Sequence, residues 1–401
     1  MLLDLSAEQE FLRDTTAKFL SNEVPVSDVR KLRDNPDGFD RSYWRRGAEL
    51  GWTSFLVSEE AGGGSVSGRG LVDLTLIAHE FGRNAAPGPL LPSNLVAGAL
   101  SWTHSGNHAD LLAGLLDGTD VASWCYEERP GRRIGDAELE VRAEGDQLVV
   151  TGSKRPVEAA AQATQLLVTG RTGSGFTQVL VPAGAPGVSI RPMESVDLTR
   201  RFYSVDFEDV RLPISAAVGE PGGAAAQVER LLQHALVIQC AESVGAMERG
   251  FDMTVEWAFD RYSFGRPLAS YQALKHRFAD MKSWLEGSHA IVDAAADAVE
   301  SASEDAAELA SAAKAFVGHY GAELLHDCVQ IHGGIGVTFD HDLHLFLRRL
   351  TLNRMLFGTP AEHRLRVADI VETAYVAGTA DIVGTPDIVE TPDIVGTEEY
   401  P

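Results

Sequence analysis

The sequence predicts an α+β multidomain protein: an N-terminal helical domain, a middle β-domain and a C-terminal helical bundle. Three observations carry this reading. Apolar residues recur at helical spacing in the first part of the chain; between Val121 and about Pro213 short β-type runs are separated by Gly, Pro and Asp; from Ala224 long, nearly breaker-free helical stretches return. At 401 residues there is room for two or three domains with substantial cores. The expected divisions are 1–120, 121–222 and 223–375, followed by a repetitive tail over 376–401.

Taken in order, Ser6 and Gln9 form a capping-box pattern, and Phe11, Leu12, Phe19 and Leu20 follow at helical spacing. Further helices are predicted from Arg41 to Leu50 and from Gly70 to Arg83. Between them, Glu59 to Gly70 is the most glycine-dense stretch; without a G-K-S/T sequence or a clear preceding strand it reads as a loop rather than a phosphate cradle. The runs V-A-S-W-C-Y, Q-L-V-V-T, Q-L-L-V-T, T-Q-V-L-V and F-Y-S-V-D-F are the predicted strands. Helices then follow over Val228–Arg261, Tyr271–Glu300, Ser303–Ile331, Leu343–Met355 and Pro360–Glu372, enough for a bundle of four or five. The tail repeats hexads such as A-D-I-V-E-T and P-D-I-V-G-T between Ala368 and Thr397 and reads as a disordered appendage.

A net charge of −24 argues against a nucleic-acid surface and an anionic membrane partner, but not against an anionic small molecule held by a few local arginines. Cys125, Cys240 and Cys328 lack metal or disulfide spacing, and His332, His341 and His344 lack a further ligand at suitable spacing, so no metal is expected. No basic-then-apolar leader or membrane-length run is evident, which makes the cytoplasm the expected location. The pairs Arg200–Arg201 and Arg348–Arg349 read as solvated or interface pairs rather than as contacts to ligand phosphates. Glu127 and Glu128, adjacent on a strand, face opposite ways and do not form a catalytic pair.

Two motifs of the last block carry chemistry. In R-Y-S-F-G-R-P-L, Arg261 ends a long helix beside a Gly265/Pro267 turn, where a guanidinium can hold phosphate; Ser263 adds a hydroxyl and Phe264 an aromatic face for a purine. In Q-I-H-G-G, Gln330 precedes the Gly333–Gly334 pair at a helix end, which allows close backbone approach to an anionic or ribose-bearing ligand.

Together these motifs resemble those of the acyl-CoA dehydrogenase family, R-x-T/Q-F-G-x-P-L-x-x-x-Q and Q-x-x-G-G, and the resemblance in domain order covers roughly residues 1 to 370. It implies tetramers in which FAD is shared across a subunit interface. Arg261, Ser263, Phe264, Leu268, Gln272, Gln330, Gly333 and Gly334 would be the half-site that reaches over to the pyrophosphate and adenosine of a neighbour's flavin. The flavin-ring half departs from the family. L-T-E-P-x-x-G-S-D is replaced by C-Y-E-E-R-P-G-R-R (Cys125 to Arg133); in place of G-x-K-x-W-I-T/S stands G-S-K-R-P-V-E, with Pro156 for the tryptophan and Glu158 for the hydroxyl. The glutamate that removes the α-proton, often in an E-G-T context, is Phe357 here, which has no titratable lone pair. The alternative base position of some members falls near Ala235; Glu242, one heptad later, reads chiefly as an interface or bundle carboxylate.

No catalytic residue is therefore assigned to this chain. The pattern is similar to one subunit of the paired α2β2 acyl-CoA dehydrogenases of bacterial sterol side-chain degradation. That resemblance implies an acyl-CoA substrate, α,β-desaturation with FAD, a homologous partner subunit supplying the glutamate, and an electron-transfer acceptor. The alternatives are a self-sufficient homotetramer using Glu242 or another base, and a non-catalytic CoA-binding or structural relative.

Overall fold

The computed structural model describes residues 5–103, 106–128, 134–173 and 175–382. Helix α1 (Ala7–Glu23) opens on the expected capping box: the Ser6 hydroxyl accepts from the Gln9 N–H, and the Gln9 carboxamide oxygen accepts from the Ser6 N–H. Its Leu12, Thr16 and Leu20, spaced by four, are buried. After α2 (Val26–Val29), α3 (Arg41–Glu49) starts where the Asp40 carboxylate accepts from the N–H groups of Ser42 and Tyr43. Then come α4 (Gly70–Arg83), α5 (Leu90–Trp102) and α6 (Ala109–Leu116). Helix α5 is buried along almost its whole length and so lacks the polar face that would have revealed its period.

The middle of the chain forms strands β1 (Ala122–Cys125), β2 (Glu140–Glu144), β3 (Gln147–Glu158), β4 (Gln165–Thr172), β5 (Gly175–Pro182), β6 (Val188–Met193) and β7 (Phe202–Pro213). They make one seven-stranded sheet in the order β1-β4-β2-β3-β7-β6, with β5 paired to β4. The five predicted runs each fall on a strand. Strands β2 and β6, short and largely exposed, lack the apolar alternation that marks the others. The β3–β7 register slips between Lys154 and Val157, at the position of Pro156, which has no N–H to give the ladder.

The last block comprises α7 (Ala225–Asp260), a two-stranded hairpin of β8 (Tyr262–Ser263) and β9 (Arg266–Pro267), α8 (Gln272–Glu300), α9 (Ala306–His332), α10 (Leu343–Asn353) and α11 (Pro360–Ile382). Helix α11 carries the hexad Ala368–Thr373 and continues past it; residues 383–401, which hold most of the repeats, lie outside the described residues. The N-terminal helices dock on the bundle where α4 crosses α7 backbone to backbone. A Cβ on Gly82 would stand 1.9 Å from the Glu242 carbonyl oxygen, and one on Gly245 would stand 2.0 Å from the His79 carbonyl oxygen. Only glycine permits such an approach.

Candidate functional site

The structure brings the two motifs together at one end of the bundle. Arg261 caps α7, and Gln330 lies in the last turn of α9. Between them stands Trp257, whose ring lies 6.0 Å from the Arg261 guanidinium carbon and stacks at 5.3 Å on His332. His332 itself is buried, with Nδ1 against the Cys328 carbonyl oxygen at 2.8 Å. It supports the turn.

Most of the predicted half-site faces outward. Arg261, Phe264, Gln272, Gln330, Gly333 and Gly334 are exposed, while Ser263 and Leu268 are half-buried. Phe264 and Gly265 occupy the two central positions of the β8–β9 turn, both at positive φ (49° and 82°), as a type I′ hairpin requires. A phenylalanine there is sterically unusual, and it is 98% exposed. The hairpin is held by the Arg261 carbonyl oxygen, which accepts from the Leu268 N–H at 2.9 Å, and by the Ser263 carbonyl oxygen, which accepts from the Tyr271 hydroxyl at 2.7 Å. Added Cβ atoms at Gly333 and Gly334 would meet nothing within 4 Å, so their backbone is open to a ligand. A bare guanidinium, an exposed aromatic face, two carboxamides and an open glycine pair fit the phosphate and adenosine portion of a dinucleotide.

The second candidate region is a cavity of about 450 Å³ between the sheet and the turn after α10. Its walls include Tyr126, Ile134, Pro156, Phe202, Leu352 and Phe357. Phe357 stacks on Trp124 and Tyr126, with centroids 5.8 and 6.3 Å away, and stands at φ +58°. Its N–H donates to Glu127 at 2.9 Å and its carbonyl oxygen meets His363 Nε2 at 2.9 Å. Buried Lys314 holds the preceding turn, donating to the carbonyl oxygens of Asn353 and Leu356 and to the Gln239 carboxamide. The position where the family resemblance puts a base is thus a well-anchored aromatic ring.

The carboxylates around the cavity are mostly engaged. Glu128 accepts from Lys154 and from the N–H groups of Glu138 and Leu139; Glu362 accepts from the Thr359 N–H and hydroxyl. Glu127 differs. Burial pushes its carboxyl up to about 7, against the opposing pull of the Phe357 N–H and Lys314. The adjacent pair Glu127–Glu128 points to different partners, but both residues lie past the end of β1 rather than on the expected strand, and the sequence carried no sign that Glu127 would be the desolvated one.

Behind Pro156 and Phe357, a small space of about 20 Å³ also touches Glu127 and Glu158. It has room for little more than one water molecule. Glu158 is half-buried, and desolvation raises its pKa despite its contact with Arg200. Arg200 binds it with both Nε, at 2.7 Å, and Nη2. Glu158 is therefore a fork partner of arginine, not a hydroxyl-type donor.

That pair belongs to a buried ionic knot. Arg349 of α10 donates to Asp197 at 2.6 Å, to Glu242 at 2.7 Å, to Thr199 and to the Ala86 carbonyl oxygen. Glu242 also accepts from Asn353 at 2.8 Å and Arg200 at 3.3 Å. The knot ties the N-terminal helices, the sheet and the bundle at one point. The reading of Arg200 and Arg349 as members of solvated or interface pairs is corrected here: both are buried within the chain, because each meets carboxylates from other elements. Arg201 is spent on the carbonyl oxygens of Leu32, Asn35 and Leu198; only Arg348 of the four remains peripheral, on the Val196 carbonyl oxygen. Glu242 is held in the knot by three donors.

Comparisons with known proteins agree with this anatomy. The family model for the acyl-CoA dehydrogenase N-terminal domain matches residues 6–114, and that for the C-terminal domain matches residues 222–371. Acyl-CoA dehydrogenase IpdE2 of Mycobacterium tuberculosis is 30% identical over 356 residues, 88% of this chain and 94% of the relative. IpdE2 of Mycolicibacterium smegmatis is 28% identical over 365 residues, 90% of this chain and 98% of the relative. Among solved structures, a variant of the Tcur3481-Tcur3483 steroid ACAD matches with a TM-score of 0.85 and 25% identity over 92% of this chain and 99% of that one. Butyryl-CoA dehydrogenase from Megasphaera elsdenii shares the fold, with a TM-score of 0.84 and 20% identity over 93% of this chain and 100% of that one.

Proposed function

Because the chain belongs to the acyl-CoA dehydrogenase family, we propose that it works as the base-lacking subunit of a heteromeric, FAD-dependent dehydrogenase acting on acyl-CoA thioesters. The observation that carries this reading is a division within one chain. The nucleotide-type residues Arg261, Phe264, Gln330, Gly333 and Gly334 are presented outward at the bundle end, while the cavity offers Phe357 in place of a base. FAD, the cofactor of the family, supplies a hydride acceptor when bound. Arg261 and the Gly333–Gly334 backbone would hold its phosphate and adenosine portion on a neighbouring subunit.

The ring portion is poorly served by this chain's own cavity. Glu127 and Glu158 bring carboxyl groups to the region, and an added negative charge would oppose reduction of a flavin to its anionic form. A partner subunit would then contribute the glutamate that takes the α-proton. The likeness to a steroid ACAD supports a bulky, steroid-type acyl group, and the apolar cavity of about 450 Å³ is compatible with binding it.

One observation favours a second reading, a self-sufficient enzyme. Glu127 reaches the cavity with a pKa near neutrality, which suits a general base better than the tightly held Glu242 does. Reconstitution separates the two. The chain alone, and the chain co-purified with a homologous partner carrying the family glutamate, are assayed for oxidation of a steroid side-chain CoA thioester and of butyryl-CoA. Activity only in the pair supports the proposal; full activity in the lone chain, lost in Glu127→Gln, supports the second reading and overturns the first.

A further inference from the structure

A separate cluster lies where α4, α7 and α8 meet, away from both the cavity and the nucleotide end. We propose that His79, Glu248 and His289 bind one divalent transition-metal ion of the zinc or cobalt class. Each residue comes from a different helix, and their ligand atoms all lie within 4.8 Å of one another. His79 Nε2 stands 2.8 Å and His289 Nε2 3.7 Å from the same oxygen, Glu248 Oε2. Tetrahedral coordination at zinc–ligand distances of about 2.0–2.1 Å spaces ligand atoms about 3.3 Å apart, so the two distances bracket what a metal needs.

Hydrogen bonding alone leaves this cluster unsatisfied. A proton between His79 and Glu248 serves one imidazole, but 3.7 Å is too long for His289 to share the same oxygen by a hydrogen bond. His289 is buried, and its Nδ1 has no hydrogen-bond partner among the described residues. A metal ion would engage the Nε2 atoms of both imidazoles and the carboxylate oxygen together, leaving His289 Nδ1 for a water. The surroundings also resemble a supporting shell: Glu80 lies 3.5 Å from His79 Nδ1, and Arg83 anchors Glu248 Oε1 at 3.0 Å and Asp252 at 3.1 Å.

The local charge agrees. The carboxylates Glu80, Glu248 and Asp252 outnumber the neighbouring guanidinium groups, Arg83 on Glu248 and Asp252 and Arg13 at the cavity wall, so a divalent ion would offset excess negative charge. Two imidazoles select against magnesium and calcium, which prefer oxygen. A cavity of about 200 Å³ beside the cluster, lined also by Arg13 and Leu76, leaves space for a water ligand and a route of entry. Such an ion would pin the N-terminal helices to the bundle.

The test uses the full chain, stripped with a chelator and titrated with cobalt(II) at neutral pH. The expected result is a visible d–d band of low-symmetry, four- or five-coordinate cobalt that saturates at one ion per chain and is bleached by zinc. His79→Gln and His289→Gln should each weaken binding at least tenfold, while His341→Ala, in the other histidine group, leaves it unchanged. No saturable band, or the same band in both glutamine variants, overturns the proposal. Should those variants fail to fold, X-ray absorption of the zinc-loaded wild type decides: two imidazoles with oxygen ligands support the site, and a shell without paired imidazoles refutes it.

Discussion

Replacing Glu242 by glutamine separates a structural carboxylate from a catalytic one. Glu242 accepts from Arg349 at 2.7 Å, Asn353 at 2.8 Å and Arg200 at 3.3 Å, so a carboxamide of the same shape must turn an NH2 group toward at least one of these donors. Breaking one partner of a buried ion pair costs about 3–5 kcal/mol. The lower end applies here, because Arg349 keeps Asp197 and Arg200 keeps Glu158, and about 3 kcal/mol is the expected loss. Urea unfolding of wild type and Glu242→Gln measures it, and dehydrogenation by the reconstituted pair, per folded molecule, should change little. Unaltered stability with abolished activity would refute the reasoning and make Glu242 the base.

Three further outcomes follow from the same geometry. Phe357→Glu should not restore activity to the lone chain: it puts a carboxyl on the residue whose N–H already binds the desolvated carboxyl of Glu127, and it removes the stacking on Trp124. Recovered turnover would count against that view. Glu127→Gln should change the pH dependence of stability. The folded chain keeps the Glu127 proton up to about pH 7, whereas unfolded chain releases it near 4.5, so wild type loses stability relative to the variant as pH rises between those values. The difference should approach about 3 kcal/mol at pH 8, at 1.36 kcal/mol per unit, and parallel stability curves would contradict it. Arg261→Ala removes an exposed guanidinium, and the loss of one charge-assisted bond, about 1.5–3 kcal/mol, should weaken flavin retention in the co-purified complex about ten- to a hundredfold. Unchanged occupancy would exclude Arg261 from the cofactor.

Much of the architecture was legible because the signals are local. Helices α7, α8 and α9 are long and nearly free of breakers, and the capping box at Ser6 forms as spaced. The two motifs of the last block were readable for the same reason, as each is a helix end with its turn. What joins them was not: Trp257 lies between Arg261 and His332 only because α7 and α9 run side by side. Strands β2 and β6 lack alternation, and α5 lacks a polar face. The ionic knot was misread because charged pairs are usually solvated; Arg200 and Arg349 are buried by carboxylates that lie far away in sequence. Reciprocal packing of Gly82 and Gly245 likewise exists only in three dimensions.

The central claim is that this chain offers half of a flavin site to another subunit. Flavin bound per chain, measured on the purified chain alone and on its complex with a homologous partner, tests it most directly. The account predicts almost no flavin on the lone chain and about one FAD per pair of unlike subunits in the complex. One FAD on every chain of the lone protein would contradict it.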